Sequence, residues 1–255
     1  MNNPPHSASA ELTRRAGLYV ACGGAVLGAG TFALAAHAGF SAGFSVAALA
    51  TYLMVGVFAV SRIARHHPFA RFGTANILTL VRLLIASSMA GLAFEMAFHE
   101  RVIDNGLAWG FFSLAVTTLV LDGLDGYAAR RENLASDFGA RFDMEIDALQ
   151  ILLLCLIALA LEKAGLWVLI GGALRYAYEV AGVFWPPLQR PLPPSFRRKL
   201  TAAVQGGTLA ALLAPIIVPP LSTRAAAIAL LLLIYSFAVD VIWLAIEDAR
   251  AKRAS

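Results

Sequence analysis

The last long apolar stretch of the sequence, residues 225–246, reads AAAIALLLLIYSFAVDVIWLAI and holds one charged residue, Asp240. A helix of about 20 apolar residues crosses the hydrocarbon core of a bilayer. Stretches of similar length recur along the whole chain and predict eight transmembrane helices. Their predicted bounds are 17–37, 41–61, 76–97, 107–125, 144–162, 165–185, 203–220 and 225–246.

The composition agrees with a membrane protein and excludes a water-soluble domain. Of the 255 residues, 59% are hydrophobic and 14% are charged, and the mean hydropathy is +0.72. A water-soluble domain carries about 25% charged residues. Because lipid admits only helices or closed barrels, and no alternation of apolar and polar residues is present, the predicted fold class is all-α, a polytopic helical bundle.

The positions of the basic residues predict the orientation. With residues 1–16 inside, 15 Lys and Arg residues fall on inner segments and 3 on outer loops. Positive charge marks the cytoplasmic side, so both termini are predicted to be cytoplasmic in a multi-pass protein of the cell (inner) membrane. This asymmetry also explains the net charge of +4 without a nucleic-acid partner. A cleaved secretory signal is the alternative for the first span.

Four aspartates lie at the predicted inner ends of the fourth and fifth spans. Asp122 and Asp125 are three residues apart, and Asp143 and Asp147 are four apart, so on helices each pair shares a face. Acidic residues at membrane depth are expensive and are rarely found without partners. Oxygen ligands of this kind suit Mg²⁺ or Mn²⁺, and two ions are expected. Solvation of a cytoplasmic loop is the alternative for each aspartate taken alone.

Residues between the two acidic pairs suit a phosphate-containing ligand. Gly126 removes a side chain where a diphosphate would approach, and Arg130 supplies a permanent cation with several donors. The whole pattern is Asp122-x2-Asp125-Gly126-x2-Ala129-Arg130-x8-Gly139-x3-Asp143-x3-Asp147. It resembles, without a departure, the signature of the CDP-alcohol phosphatidyltransferase family, and the resemblance covers about residues 72–245.

The resemblance implies a role for each residue of the pattern. Members of the family transfer a phosphatidyl group from a CDP-lipid to an alcohol and release CMP. Asp122, Asp125 and Asp143 are then metal ligands, and Asp147 is the general base and a further ligand. The residues implied to face the CDP-lipid are Gly126, Ala129, Arg130 and, upstream, Asn76, Thr79 and Arg82, with Ser136 as an additional hydroxyl.

The upstream residues also allow simpler interpretations. Asn76 as a helix cap, Thr79 as an ordinary span residue and Arg82 as a snorkelling anchor are the alternatives.

Two basic features compete for recognition of the acceptor alcohol. Arg175 resembles an arginine found in members that use glycerol 3-phosphate, but Glu179 one turn later makes an intrahelical ion pair the alternative. The second feature is the basic segment Arg197, Arg198 and Lys199. It departs from the usual Gly-Lys of the family, and the alternative is that it only satisfies the positive-inside rule or binds anionic lipid headgroups.

These observations predict an enzyme of phospholipid biosynthesis with CDP-diacylglycerol and a polar alcohol as substrates. Glycerol 3-phosphate is the expected acceptor, with inositol phosphate, serine or another alcohol as alternatives. A non-catalytic transporter or scaffold with a cation site is the alternative of another class. The expected domains are 1–71, with two extra helices, 72–246, the transferase domain, and a tail at 247–255. A glycine run at residues 23–30 suggests close helix packing or a homodimer face.

Overall fold

The structure is a computed structural model of the full chain. It describes residues 6–66, 69, 71–99, 102–132, 134 and 136–254. Within the helices, the side chains of residues 6–9, 64–66, 125, 127–130 and 254 are outside this description.

Eight α-helices account for most of the described residues, and no strand is found among them. They are α1 (His6–Ala38), α2 (Ala42–His66), α3 (Thr74–His99), α4 (Asn105–Glu132), α5 (Asp137–Ala160), α6 (Leu169–Phe184), α7 (Phe196–Leu212) and α8 (Leu221–Ala254). Short 3₁₀ turns precede and follow α6. The predicted all-α fold with eight helices is confirmed.

Five helices in the described part of the chain, α1, α2, α3, α4 and α8, are long and apolar enough to cross a membrane. The other three differ for simple reasons. Helix α5 carries five charged residues in its first eleven, whereas α6 and α7 are only 16 and 17 residues long. A span of about 20 residues is needed to cross the hydrocarbon core. The protein is therefore a polytopic membrane protein in which three helices are shorter or more polar than predicted.

The chain divides into two compact units, Met1–Leu153 and Leu154–Ser255, and the division falls within α5. In the first unit, α1 packs against α2 and α3, and α3 also packs against α4. Helix α1 contributes Leu12, Ala16, Val20 and Leu27 to the core of this unit. Their spacing of three to four residues, or a multiple of it, places them on one face of the helix. The two N-terminal helices are thus packed onto α3.

Glycines permit close helix contacts in the first unit. A Cβ atom at Gly91 of α3 would lie 2.5 Å from the backbone oxygen of Phe44 on α2. A Cβ atom at Gly23 of α1 would lie 2.1 Å from the Tyr52 hydroxyl, also on α2. Since real Cβ atoms do not approach so closely, a larger residue at Gly91 would displace the backbone of α2, and one at Gly23 would displace the Tyr52 side chain. Glycines of the predicted packing run therefore contact α2 within one chain.

In the second unit, α7 packs against α8, and α6 packs against α8 and the 3₁₀ turn that follows it. The buried Lys163 lies in the loop after α5, and its ammonium donates to the Ile217 carbonyl at 2.5 Å, in the segment after α7. Burial lowers the pKa of Lys163 because it penalises the charged form. This contact joins two connecting segments of the second unit.

Candidate metal and substrate site

Helices α4 and α5 carry the acidic pattern. Helix α4 continues to Glu132, so Asp122 lies on regular helix. Helix α5 begins at Asp137, and the Ser136 hydroxyl accepts a hydrogen bond from the Gly139 amide at 3.1 Å. This is the geometry of an N-cap, in which a side-chain oxygen satisfies an amide of the first turn. The structure therefore gives Ser136 a capping role, and its predicted contact with the CDP-lipid stays a prediction.

Three of the four predicted aspartates meet in space. One carboxylate oxygen from each of Asp122, Asp143 and Asp147 lies within 4.8 Å of the others. The side chains of Asp122 and Asp147 are 45% and 48% exposed. Spacing within each helix predicted which residues share a face, and the fold brings the carboxylates of α4 and α5 together. We call these three residues the carboxylate cluster.

A buried arginine from α3 lies against the carboxylate cluster. One terminal nitrogen of Arg82 donates to Asp143, and the other donates to Asp147 and lies 3.0 Å from Asp122. Arg82 is only 2% exposed, whereas the carboxylates are open to the surface. The prediction that Arg82 lies in the site is consistent with this placement, but its contacts in the structure are with the aspartates.

The donor set of the carboxylate cluster fits a divalent cation of the Mg²⁺ or Mn²⁺ type. Hard cations take oxygen ligands, and carboxylates are the usual protein ligands of Mg²⁺. When ionised, the three carboxylates carry three negative charges against the one positive charge of Arg82. For these four groups alone the net charge is two negative charges, which one divalent cation would balance.

Helix α3 supplies further polar residues beside this region. Asn76 and Thr79 are 4% and 2% exposed, and both donate to backbone carbonyls one turn earlier, those of Phe72 and Ala75. A Cβ atom at Gly139 would lie 3.2 Å from the Asn76 side-chain oxygen. Gly139 thus permits close contact between α3 and α5.

The side chains of Asp125, Ala129 and Arg130 lie outside the described residues, although their backbone continues α4. Gly126 is half-buried on the same helix. The predicted roles of these four residues therefore stay predictions.

The end of α4 is joined to the start of α3. The Thr74 amide donates to the Glu132 carboxylate at 2.9 Å, and the Thr74 hydroxyl donates to its other oxygen. These two hydrogen bonds lower the pKa of Glu132 because they favour its charged form. The contact satisfies an amide at the N-terminus of α3, which has no partner within its own helix.

A second charged centre lies in the second unit, between α7 and α8. Asp240, 7% exposed, accepts from Arg197 at 2.5 Å and from Arg198 at 3.2 Å. Arg197 also donates to the Ser236 hydroxyl at 2.7 Å. We call Arg197 and Arg198 the arginine pair. The sequence predicted these arginines as acceptor ligands but named no partner for Asp240, and the structure supplies that partner.

The other predicted acceptor residues are also placed by the structure. Arg175 donates to Glu179 at 2.7 Å, which is the intrahelical ion pair expected from their spacing. Lys199 is exposed at the start of α7.

The family model described as CDP-alcohol phosphatidyltransferase matches residues 72–243, which is more than half of the chain. This chain belongs to the CDP-alcohol phosphatidyltransferase family. No curated protein and no solved structure matches it.

Membership in the CDP-alcohol phosphatidyltransferase family gives the two charged centres a general context. The family carries out phospholipid head-group transfer and is typically dependent on a divalent metal. The carboxylate cluster lies in the matched region and offers ligands of the required type.

The sequence did not predict Ser236, which accepts a hydrogen bond from Arg197 in the second charged centre. Ser236 precedes Asp240 by four residues, so both lie on the same face of α8. That spacing was the available signal. Without a known partner for Asp240, nothing in the sequence singled out the serine.

Proposed function

We propose that this protein transfers a phosphatidyl group from CDP-diacylglycerol to an alcohol and releases CMP. The observation that supports the proposal best is the convergence of Asp122, Asp143 and Asp147, with carboxylate oxygens within 4.8 Å of one another, in the part of the chain that the family model matches. Four independently solvated aspartates would have no reason to place three carboxylates in one cluster, because like charges repel.

In this proposal Asp147 is the general base. Its carboxylate takes the proton of the acceptor hydroxyl as that oxygen attacks the phosphorus bonded to the diacylglycerol oxygen. The new bond joins the acceptor oxygen to phosphorus, and the bond that breaks joins phosphorus to the oxygen of CMP. The side chain of Asp147 is 48% exposed, which leaves room for an acceptor to approach it.

Asp122, Asp125, Asp143 and Asp147 would hold one or two Mg²⁺ or Mn²⁺ ions. When bound, such ions neutralise the diphosphate and stabilise the charge that develops on the leaving CMP. Asn76, Thr79, Gly126, Ala129 and Arg130 are proposed to bind the CDP-lipid.

The acceptor is proposed to be glycerol 3-phosphate. The support is the basic character of the second centre, where Arg197 and Arg198 carry two positive charges against the single carboxylate of Asp240. One positive charge therefore remains, which suits a phosphate group. Inositol phosphate has the same charged group, whereas serine would make less use of it.

The proposed location is the cell (inner) membrane, with the active site and both termini facing the cytoplasm. The distribution of basic residues supports this orientation. The lipid tails of the substrate then stay in the bilayer while the acceptor arrives from water. A homodimer through α1 remains a prediction.

The test is a membrane preparation of the full chain given CDP-diacylglycerol, Mg²⁺ or Mn²⁺, and one of several alcohols. CMP release should require glycerol 3-phosphate, and a chelator should abolish it. Asp143→Asn should lose CMP release, whereas the matched Asp137→Asn, on the first turn of the same helix, should retain it.

Each other outcome has a defined meaning. Release of CMP with inositol phosphate or serine alone would replace the acceptor and keep the reaction. If the folded wild-type protein binds a metal ion but releases no CMP with any alcohol, the enzyme is ruled out in favour of a transporter or scaffold.

A further inference from the structure

Arg82 is buried behind the carboxylate cluster and contacts its carboxylates. It is 2% exposed and donates to two carboxylates of the cluster through separate terminal nitrogens. Its second nitrogen also lies 3.0 Å from Asp122. All three members of the carboxylate cluster therefore contact the same guanidinium.

The two sides of this arrangement differ in access. Arg82 lies on the buried side, whereas the side chains of Asp122, Asp143 and Asp147 are 45%, 30% and 48% exposed. An ion from water would reach the carboxylates from the side opposite the guanidinium. Arg82 contacts one oxygen, Oδ1, of each carboxylate, so an ion held by the same three side chains would lie close to the guanidinium.

Simple electrostatics sets these two cations against each other. Three carboxylates this close repel one another unless a positive charge is present, so without Arg82 the cluster would spread apart or take up protons. A fixed positive charge a few ångströms away also repels an arriving divalent cation. The same guanidinium thus stabilises the empty cluster and weakens its affinity for the ion.

We propose that Arg82 is the resident counter-cation of the carboxylate cluster. It holds the three carboxylates together before a divalent ion binds, and it competes with that ion for their negative charge. This inference rests on the proposed function, since it concerns the metal site of the same reaction. It assigns to Arg82 a role separate from contact with the CDP-lipid.

The test measures Mn²⁺ binding to the purified full chain in detergent, without CDP-lipid, from the electron paramagnetic resonance signal of free Mn²⁺. Arg82→Gln removes the charge and keeps a polar side chain that can donate hydrogen bonds. It should bind Mn²⁺ about tenfold more tightly than wild type or better, because a repelling charge near the ion is gone. Arg82→Lys keeps the charge, so its affinity should stay close to that of wild type.

Thermal unfolding gives a second measurement on the same proteins. In the presence of a chelator, Arg82→Gln should unfold at a lower temperature than wild type, because its carboxylates lack a counter-charge. Mn²⁺ should then raise the unfolding temperature of the variant more than that of wild type. A variant that folds only in the presence of Mn²⁺ also supports the proposal. The matched control Arg14→Gln removes one charge from an exposed arginine that pairs with Glu11, and it should leave Mn²⁺ affinity unchanged.

The results separate this inference from the proposed function. If wild type binds Mn²⁺ and Arg82→Gln binds it equally or more weakly, Arg82 only positions the carboxylates and the inference is overturned. If neither protein binds Mn²⁺, the metal site of the proposed function fails as well.

Discussion

The carboxylate cluster and the arginine pair are built from the same two kinds of side chain in opposite proportions. In the first unit, three carboxylates surround one arginine, Arg82. In the second unit, two arginines surround one carboxylate, Asp240. Among these described side chains, negative charge is in excess in the first centre and positive charge in the second. The two centres contain the same kinds of residue, so the charge in excess, and not the kinds of residue present, indicates which ligand each centre can take.

Exposure sharpens the same contrast. In the carboxylate cluster the lone arginine is buried and the carboxylates in excess are accessible. In the second centre the lone carboxylate is 11% exposed in its side chain, and the arginines in excess are 24% and 30% exposed. In both centres the minority charge is the more deeply buried one. The majority charge is left where a ligand from water can reach it.

The largest expected effect concerns Asp147, the proposed general base in the carboxylate cluster. Asp147→Asn should lower the rate of CMP release at least about a hundredfold, because the amide cannot accept the proton of the acceptor. Its binding of CDP-lipid should be largely retained. Turnover is measured as CMP release from CDP-diacylglycerol. Retention of more than a tenth of the wild-type rate would remove Asp147 as the base and weaken the contrast between the centres.

The next effect tests the burial of the minority charge. Replacing Arg197 and Arg198 together with Gln leaves Asp240 buried without its two cations, which costs on the order of 3 kcal/mol. Asp240→Asn leaves two partly exposed arginines and should cost less, about 1 kcal/mol. Unfolding temperatures in detergent micelles measure both, with the exposed Lys199→Gln as the control for stability. Equal losses in the two cases would show that the burial of Asp240 carries no special cost.

A smaller effect tests whether the excess positive charge of the second centre binds the acceptor. Arg198→Gln should raise the KM for glycerol 3-phosphate about tenfold, since one charge-assisted contact to phosphate is lost. The KM for CDP-diacylglycerol should not change. Arg190→Gln is the matched control, because Arg190 pairs with Asp248 at 2.8 Å. An unchanged KM for glycerol 3-phosphate would leave the arginine pair with a purely structural role.

The smallest effect concerns an exposed carboxylate outside both centres. The pKa of Glu132 is lowered by its hydrogen bonds from Thr74, so its contribution to stability is present above its ordinary pKa and is lost as the pH falls through the lowered value. Glu132→Gln should therefore unfold at a slightly lower temperature than wild type near pH 7. The difference should shrink in acid. A constant difference at both pH values would mean that the charge of Glu132 is not involved.

Local patterns in the sequence predicted the helices well because they depend on neighbours along the chain. The long apolar runs gave all eight helices, and the spacing of Asp143 and Asp147 placed both on one face of α5. The bounds were less accurate where helices extend beyond the apolar run, as α4 does to Glu132. Hydrophobicity marks the part of a helix in lipid, whereas backbone hydrogen bonds and caps decide where the helix ends.

The sequence by itself determined the class of protein and the number of helices, and it named the candidate residues for binding a cation or a phosphate. Only the tertiary structure decided which charges meet. Arg82 pairs with residues 61 and 65 positions away, and Arg197 pairs with one 43 positions away. The spacing of residues within a helix fixes which of them share a face, but it carries no information about which face of another helix they meet. Packing of the helices decides that, and with it the charge that each centre keeps.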